Sequence, residues 1–136
     1  MDQKRIVIDT NTLISAFGWK GNPRKVLQSA IKNKSILFIS PQTFDEFIKV
    51  LDYPKFDFPE HRKTRFKDFL LAISEITIPA TKINLVKEDP KDNMFLECAQ
   101  SCKAHYLITG DKHLLKLKIF KGTKIVKAKE FLEKTK

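Results

Sequence analysis

Cysteine and histidine are scarce in this chain, and their scarcity narrows its chemistry. Two cysteines in 136 residues cannot build a disulfide framework. Cys98 and Cys102 share one helical pattern, with no C-x-x-C spacing and no nearby histidine to complete a metal site. Both are predicted to be reduced and packed. The three histidines, His61, His105 and His113, sit in unrelated segments and share no motif. A pair of histidines acting as acid and base is therefore not the expected chemistry; surface or capping positions are. No apolar run approaches the length of a membrane span. The first residues, MDQKR, are mostly polar, so no signal-peptide core precedes the first apolar segment. The chain is expected to work in the cytoplasm. Repeats, low-complexity tracts and linkers are also missing, and the length fits one domain spanning 1–136. Such a chain can bury a core without covalent staples, and eleven Phe give that core bulk.

Acids are in the minority. Sixteen Asp and Glu face 26 Lys and Arg, which leaves a net charge of +10. From Lys112 onward there are nine Lys and only two acids, Glu130 and Glu133. This balance favours nucleic acid or another acidic partner. A lysine-rich surface tuned for solubility or heat gives the same count.

Strand-like and helix-like patterns alternate. Residues 5–9 read as a short buried strand, and Leu13, Ile14 and Phe17 begin a helix behind the capping residues Asp9, Thr10 and Asn11. A loop at 18–22 leads to Pro23 and a helix with Val26, Leu27, Ala30 and Ile31 inward. Residues 36–39 form a second strand. Ser40-Pro41 then opens a helix with Phe44, Phe47, Ile48 and Leu51 inward. A turn-rich connection precedes a helix over 60–74 with Phe66, Phe69, Leu70 and Ile73 on one face. Residues 76–78 read as a strand. Pro90 starts a helix with Phe95, Cys98, Ala99 and Cys102 inward. A strand follows at 106–109, then a short helix capped by Asp111, a strand at 124–126 and a helix through Phe131 and Leu132. The alternation predicts an α/β chain: a central parallel sheet covered on both faces by helices. In such sheets ligands sit beyond the carboxyl ends of the strands, at a switch in strand order.

Four acids fall where that crevice would be: Asp9, Glu46, Asp92 and Asp111. Asp9 and Asp111 each have a plain alternative as a helix cap. Asp92 lies three and seven residues before Phe95 and Ala99, so it points toward the buried side of its helix. An acid there needs a partner, a cation or a helix N-terminus. Glu46 is the weakest of the four, because periodicity does not choose it over Asp45. Together they form the hard-oxygen ligand set of Mg²⁺ or Mn²⁺. Without a cation, clustered carboxylates raise one another's pKa.

At these residues the chain resembles the PIN domain family, in particular the VapC-like toxins. The matching segments are V-I-D-T-N-T-L-I-S-A, S-P-Q-T-F-D-E-F-I-K-V-L followed by Y-P-K-F, D-P-K-D-N-M-F-L-E-C-A, and L-I-T-G-D-K-H-L-L. They run in order from residue 7 to residue 115. The resemblance implies an α/β/α sandwich with a ribonuclease site that uses Mg²⁺ or Mn²⁺. It carries over Asp9, Glu46, Asp92 and Asp111 as the acidic quartet, and it is what selects Glu46. It makes Asn11 and Thr109 site-bordering, with Asn93 and Asp89 flanking Asp92. In this reading Asp9 and Asp111 hold the ion with Asp92, while Glu46 orients or deprotonates the attacking water or holds a second ion. Hydrolysis leaves a 5′-phosphate and a 3′-hydroxyl.

Lys20, Arg24, Lys91, Lys112 and Lys116 lie near these motifs and are expected to line an RNA-binding rim. Trp19 is open to two readings, a base-stacking residue or a ring covering core or partner. The implied partners are RNA and a cognate antitoxin. Homodimers are common in the family, though no residue pattern here specifies one. The segment 52–74 suits substrate, antitoxin or a second subunit. Two other nuclease-fold readings stand beside the toxin: a PIN nuclease of RNA processing without an antitoxin, and a binding module with a vestigial site. A receiver-type signalling domain shares the α/β order, but the lysine-bearing final motif it needs is missing.

Overall fold

The computed structural model describes residues 3–136. In chain order the elements are β1 (Lys4–Ile8), α1 (Thr10–Gly18), α2 (Asn22–Ile31), β2 (Ser35–Ile39), α3 (Pro41–Leu51), α4 (Glu60–Ile73) and β3 (Ser74–Ile76). A 3₁₀ turn (Pro90–Asp92) then leads into α5 (Asn93–Cys102), β4 (Tyr106–Ile108), α6 (Lys112–Leu115), β5 (Ile119–Phe120), β6 (Thr123–Val126) and α7 (Ala128–Lys134). The strands lie in the order β3-β2-β1-β4-β6-β5. All neighbours are parallel except β5, which runs antiparallel to β6 at one edge. The predicted α/β architecture is therefore present, with one antiparallel strand added.

Side chains on successive strand residues point to opposite faces, and the two faces feed two cores. Ile6 and Ile8 of β1 join Leu37, Ile39, Tyr106, Ile108 and Val126 on one side, where Phe47, Leu51, Leu70 and Phe131 arrive from helices. Val7, Leu107 and Ile125 face the other side and meet Phe95, Leu96, Cys98 and Ala99 of α5 and Leu114 of α6. Helices thus cover both faces, and residues 6–8 of β1 and 106–108 of β4 are buried on both, which is why these stretches read as unbroken apolar runs.

Serine at position 40 fixes where α3 begins. Its Oγ accepts from the Thr43 N–H at 3.1 Å, and Thr43 Oγ1 accepts from the Ser40 N–H at 2.9 Å. This reciprocal cap satisfies two backbone donors that the helix start would otherwise leave unpaired. Ser40→Ala is expected to cost about 1 kcal/mol of unfolding free energy, read as a lower urea midpoint with an unchanged slope.

Several expected boundaries shift, and a few side chains turn out differently. The strand expected at 76–78 is Ser74–Ile76, paired in parallel with Leu37–Ile39. Ile78 lies beyond it and is exposed. Phe69 and Ile31, both expected inward, are 41% and 45% exposed. Neither helix has a further layer outside it, so α4 buries only Leu70 completely, while Phe69 leans edge-on against Phe17. On α3 the buried positions are Thr43, Phe47, Val50 and Leu51, whereas Phe44 and Ile48 are only partly covered. The helix expected from Pro90 starts as the 3₁₀ turn instead, and Cys102 is half-buried. Strand β5 was not anticipated from the sequence. It is two residues long and closes on β6 through Lys121-Gly122, both at positive φ, the backbone of a two-residue hairpin turn. Both cysteines are free, and burial pushes the Cys98 thiol up to about 12 and the Cys102 thiol to about 11. Neither is a reactive thiolate at neutral pH. No helix among the described residues is long and apolar enough to cross a membrane.

Candidate functional site

β1 leads to β2 on one side and has β4 on the other, so strand order reverses at the β1–β4 pair. That crevice lies where the sequence-level argument placed it. Val7 and Ile8 pair with Leu107 and Ile108, so Asp9 and Thr109 leave adjacent strands side by side. The Asp9 N–H still donates to the Ile108 carbonyl at 3.0 Å, which locks the two exits together.

Asp9 does cap α1, as its plain reading required: Oδ1 accepts from the Thr12 N–H at 2.9 Å. Its other oxygen accepts a short hydrogen bond from the Thr109 hydroxyl. Thr109 Oγ1 in turn accepts from the Asp111 N–H at 2.9 Å. One hydroxyl therefore ties the first acid to the backbone of the last. Asp111 caps α6, its Oδ1 accepting from the His113 N–H at 2.7 Å, and it remains half-buried. In both residues the cap engages a single carboxylate oxygen, Oδ1. Burial raises the Asp9 pKa; hydrogen bonds from Thr109 and Thr12 oppose that rise, and the charge of Asp111 adds to it.

Asp92 is buried, and its Oδ2 has no hydrogen-bond partner. A buried carboxylate oxygen without a donor costs several kcal/mol when charged. Its pKa is pushed up to about 8, first by burial and then by the charges of Asp111, Asp89 and Asp9. Carboxylate oxygens of Asp89, Asp92 and Asp111 lie within 4.8 Å of one another. Three hard oxygen donors at that spacing, one of them unsatisfied and held in a low-dielectric setting, fit a divalent cation, which removes both the repulsion and the missing bond.

Asn11 is exposed and lines a cleft of about 370 Å³ together with Asp9, Ser15 and Asp111. Glu46 is half-covered on α3, between the buried Thr43 and Val50, while Asp45 is exposed. The fold therefore turns Glu46, and not its neighbour, toward the protein, a distinction that periodicity based on Phe44 and Ile48 had obscured. Among the described residues Glu46 and Asp9 are both outside the close group of Asp89, Asp92 and Asp111, although the charge of Asp111 reaches Asp9. Asn93 is buried, with its amide fully engaged: it accepts from the Leu85 and Val86 N–H groups and donates to the Val86 and Pro90 carbonyls. It shapes the segment that carries Asp89. Lys20, Lys91 and Lys112 are exposed. Lys116 is exposed too, but pairs with Glu88 at 3.0 Å. Arg24 departs from the expected rim, because its guanidinium donates to the Ala16 and Phe17 carbonyls at 3.0 Å and finishes α1. Trp19 is half-exposed against the rings of Phe56 and Phe58. His105 accepts from the Arg5 N–H at 2.9 Å through Nδ1, a structural role consistent with its lack of motif.

Residues 5–113 match the family profile described as PIN domain. A solved structure, the crystal structure of PAE2754 from Pyrobaculum aerophilum, superposes with a TM-score of 0.63 over 97% of this chain and 89% of that one, at 14% identity. At that identity the likeness concerns the fold. No curated protein matches the sequence.

Proposed function

This chain belongs to the PIN domain family, and from that premise we propose that it is a divalent-metal-dependent endoribonuclease, the toxin of a toxin–antitoxin pair of the VapC-like kind. PIN domains are generally nucleases and typically use divalent metals. The observation that carries the reading is Asp92: a buried acid with an unpartnered oxygen, set among other carboxylates at the strand-order switch.

Asp9, Asp92 and Asp111 would hold Mg²⁺ or Mn²⁺, with Glu46 toward the water side. A bound cation there supplies Lewis acidity, lowering the pKa of water and neutralising charge on the phosphoryl oxygens. Thr109 keeps Asp9 and Asp111 in register, so the geometry exists before substrate arrives. Glu46 orients the attacking water and takes its proton. Water adds to phosphorus as the P–O3′ bond breaks, the departing O3′ takes a proton from solvent, and the products are a 3′-hydroxyl and a 5′-phosphate. Lys20, Lys91 and Lys112 contact the flanking phosphates, so affinity falls as salt rises. The antitoxin has a candidate seat in a groove of about 630 Å³ floored by Phe17, Phe66 and Phe69 and walled by Arg62 and Arg65.

Cleavage of a labelled single-stranded RNA with Mg²⁺, Mn²⁺ or EDTA tests this. Metal-dependent cutting with 5′-phosphate ends is expected. A cyclic 2′,3′-phosphate product, or undiminished cutting in EDTA, refutes it. A small neighbouring gene whose product silences the activity separates the toxin from a PIN nuclease of RNA processing.

A further inference from the structure

We infer that Asp89, outside the acidic quartet, is a direct ligand of the same cation site, presented by a segment that α5 and α6 hold in place. The inference rests on the metal-dependent reading above. An aspartate just before a proline-led helical turn is ordinarily a cap. Asp89 occupies that position ahead of Pro90–Asp92, yet it makes no side-chain capping bond. Among the described residues its carboxylate makes no hydrogen bond or ion pair, and its oxygen lies within 4.8 Å of those of Asp92 and Asp111. Three carboxylates at that range repel one another when all are charged, a repulsion that a proton on one of them or a cation among them relieves. The unpartnered, buried Asp92 Oδ2 points independently to a missing ligand at the same spot.

The backbone around Asp89 is fastened on both sides. Buried Asn93 bonds Leu85, Val86 and Pro90, and Glu97 accepts from the Ile83 N–H at 2.9 Å. Next to Asp89, Glu88 is tied to Lys116 at the end of α6. No cap, strand or salt bridge of Asp89 itself explains this anchoring. Its effect is to hold a third carboxylate over Asp92 and Asp111, in a chain that otherwise tolerates an extended, irregular segment from 77 to 89.

Mn²⁺ binding followed by electron paramagnetic resonance tests the assignment without reference to catalysis. Asp89→Asn is expected to weaken Mn²⁺ affinity by about tenfold or more, and to melt in EDTA no lower than wild type, since it removes a like charge. Glu88→Gln takes the same charge from the next residue and is expected to change affinity less than about threefold, because an exposed charge acts weakly through water. Unchanged affinity in Asp89→Asn overturns the inference, and so do equal losses in both variants, which would mean a field effect and no ligation. If wild type itself binds no Mn²⁺, the metal-dependent reading fails along with this one; if wild type binds and only the Asp89 variant is indifferent, that reading survives.

Discussion

Asp9→Asn is expected to abolish metal-dependent RNA cleavage while leaving the fold intact. Asparagine caps helices as well as aspartate does, so its Oδ1 continues to accept from the Thr12 N–H. The new amide meets Thr109, whose hydroxyl can accept it after giving up its bond to the acid. Only the charge and one oxygen ligand are lost. Rates fall by at least about 10²-fold when such a group leaves a preorganised site. The check is a single-turnover rate against labelled RNA, with the far-ultraviolet dichroism and melting temperature of the variant measured beside it. A variant that cuts within a few-fold of wild type would remove Asp9 from the site.

Asp92→Asn is expected to act on stability and activity in opposite directions. The folded pKa of about 8 stands well above the ordinary value of 3.8. Between those two values the folded chain keeps a proton that the unfolded chain has released. Stability of the metal-free protein therefore falls as pH rises through that window and levels off above it. With burial and the charges of Asp111, Asp89 and Asp9 contributing, the penalty by pH 8 is on the order of a few kcal/mol. Asp92→Asn removes it: the melting temperature in EDTA rises by roughly 5–10 °C at pH 8 and hardly changes at pH 4. Wild type recovers the same ground with metal, since about 100 Kd of free Mn²⁺ contributes about 2.7 kcal/mol. The variant gains little from Mn²⁺ and cuts RNA poorly. Calorimetry at the two pH values, with and without Mn²⁺, measures all of this, and a wild-type melting curve that does not respond to pH would contradict the burial argument.

What the chain's letters disclose and what they hide follow from the range of the interactions involved. Caps and core faces are local, so Asp9, Ser40 and Asp111 and the strands at β1, β2 and β4 could be placed from neighbouring residues alone. Asp92's burial was legible for the same reason, three and seven residues from Phe95 and Ala99. Asp89 is marked by no local pattern, because its placement depends on Asn93 and Glu97 drawing the 83–86 segment against α5, contacts with no periodicity to read. Arg24 shows the converse: a basic residue near a motif looks like rim until its guanidinium is seen on the carbonyls ending α1. Glu46 needed the family likeness, since the side of α3 that is buried runs through Thr43 and Val50, which a count of aromatic and aliphatic residues underweights. The two-residue β5 is too short for any pattern.

The bond from Thr109 to Asp9 spans 100 positions. β1 leaves the ribosome well before its neighbour β4, and β6, which flanks β4, comes later still. Contacts so distant in sequence form late and slowly. A nascent chain halted anywhere before residue 106 has the first acid and lacks the last, along with the strand that aligns them. For a protein proposed to cut RNA, this order means that the acids of the candidate site are aligned only after β4 has joined β1.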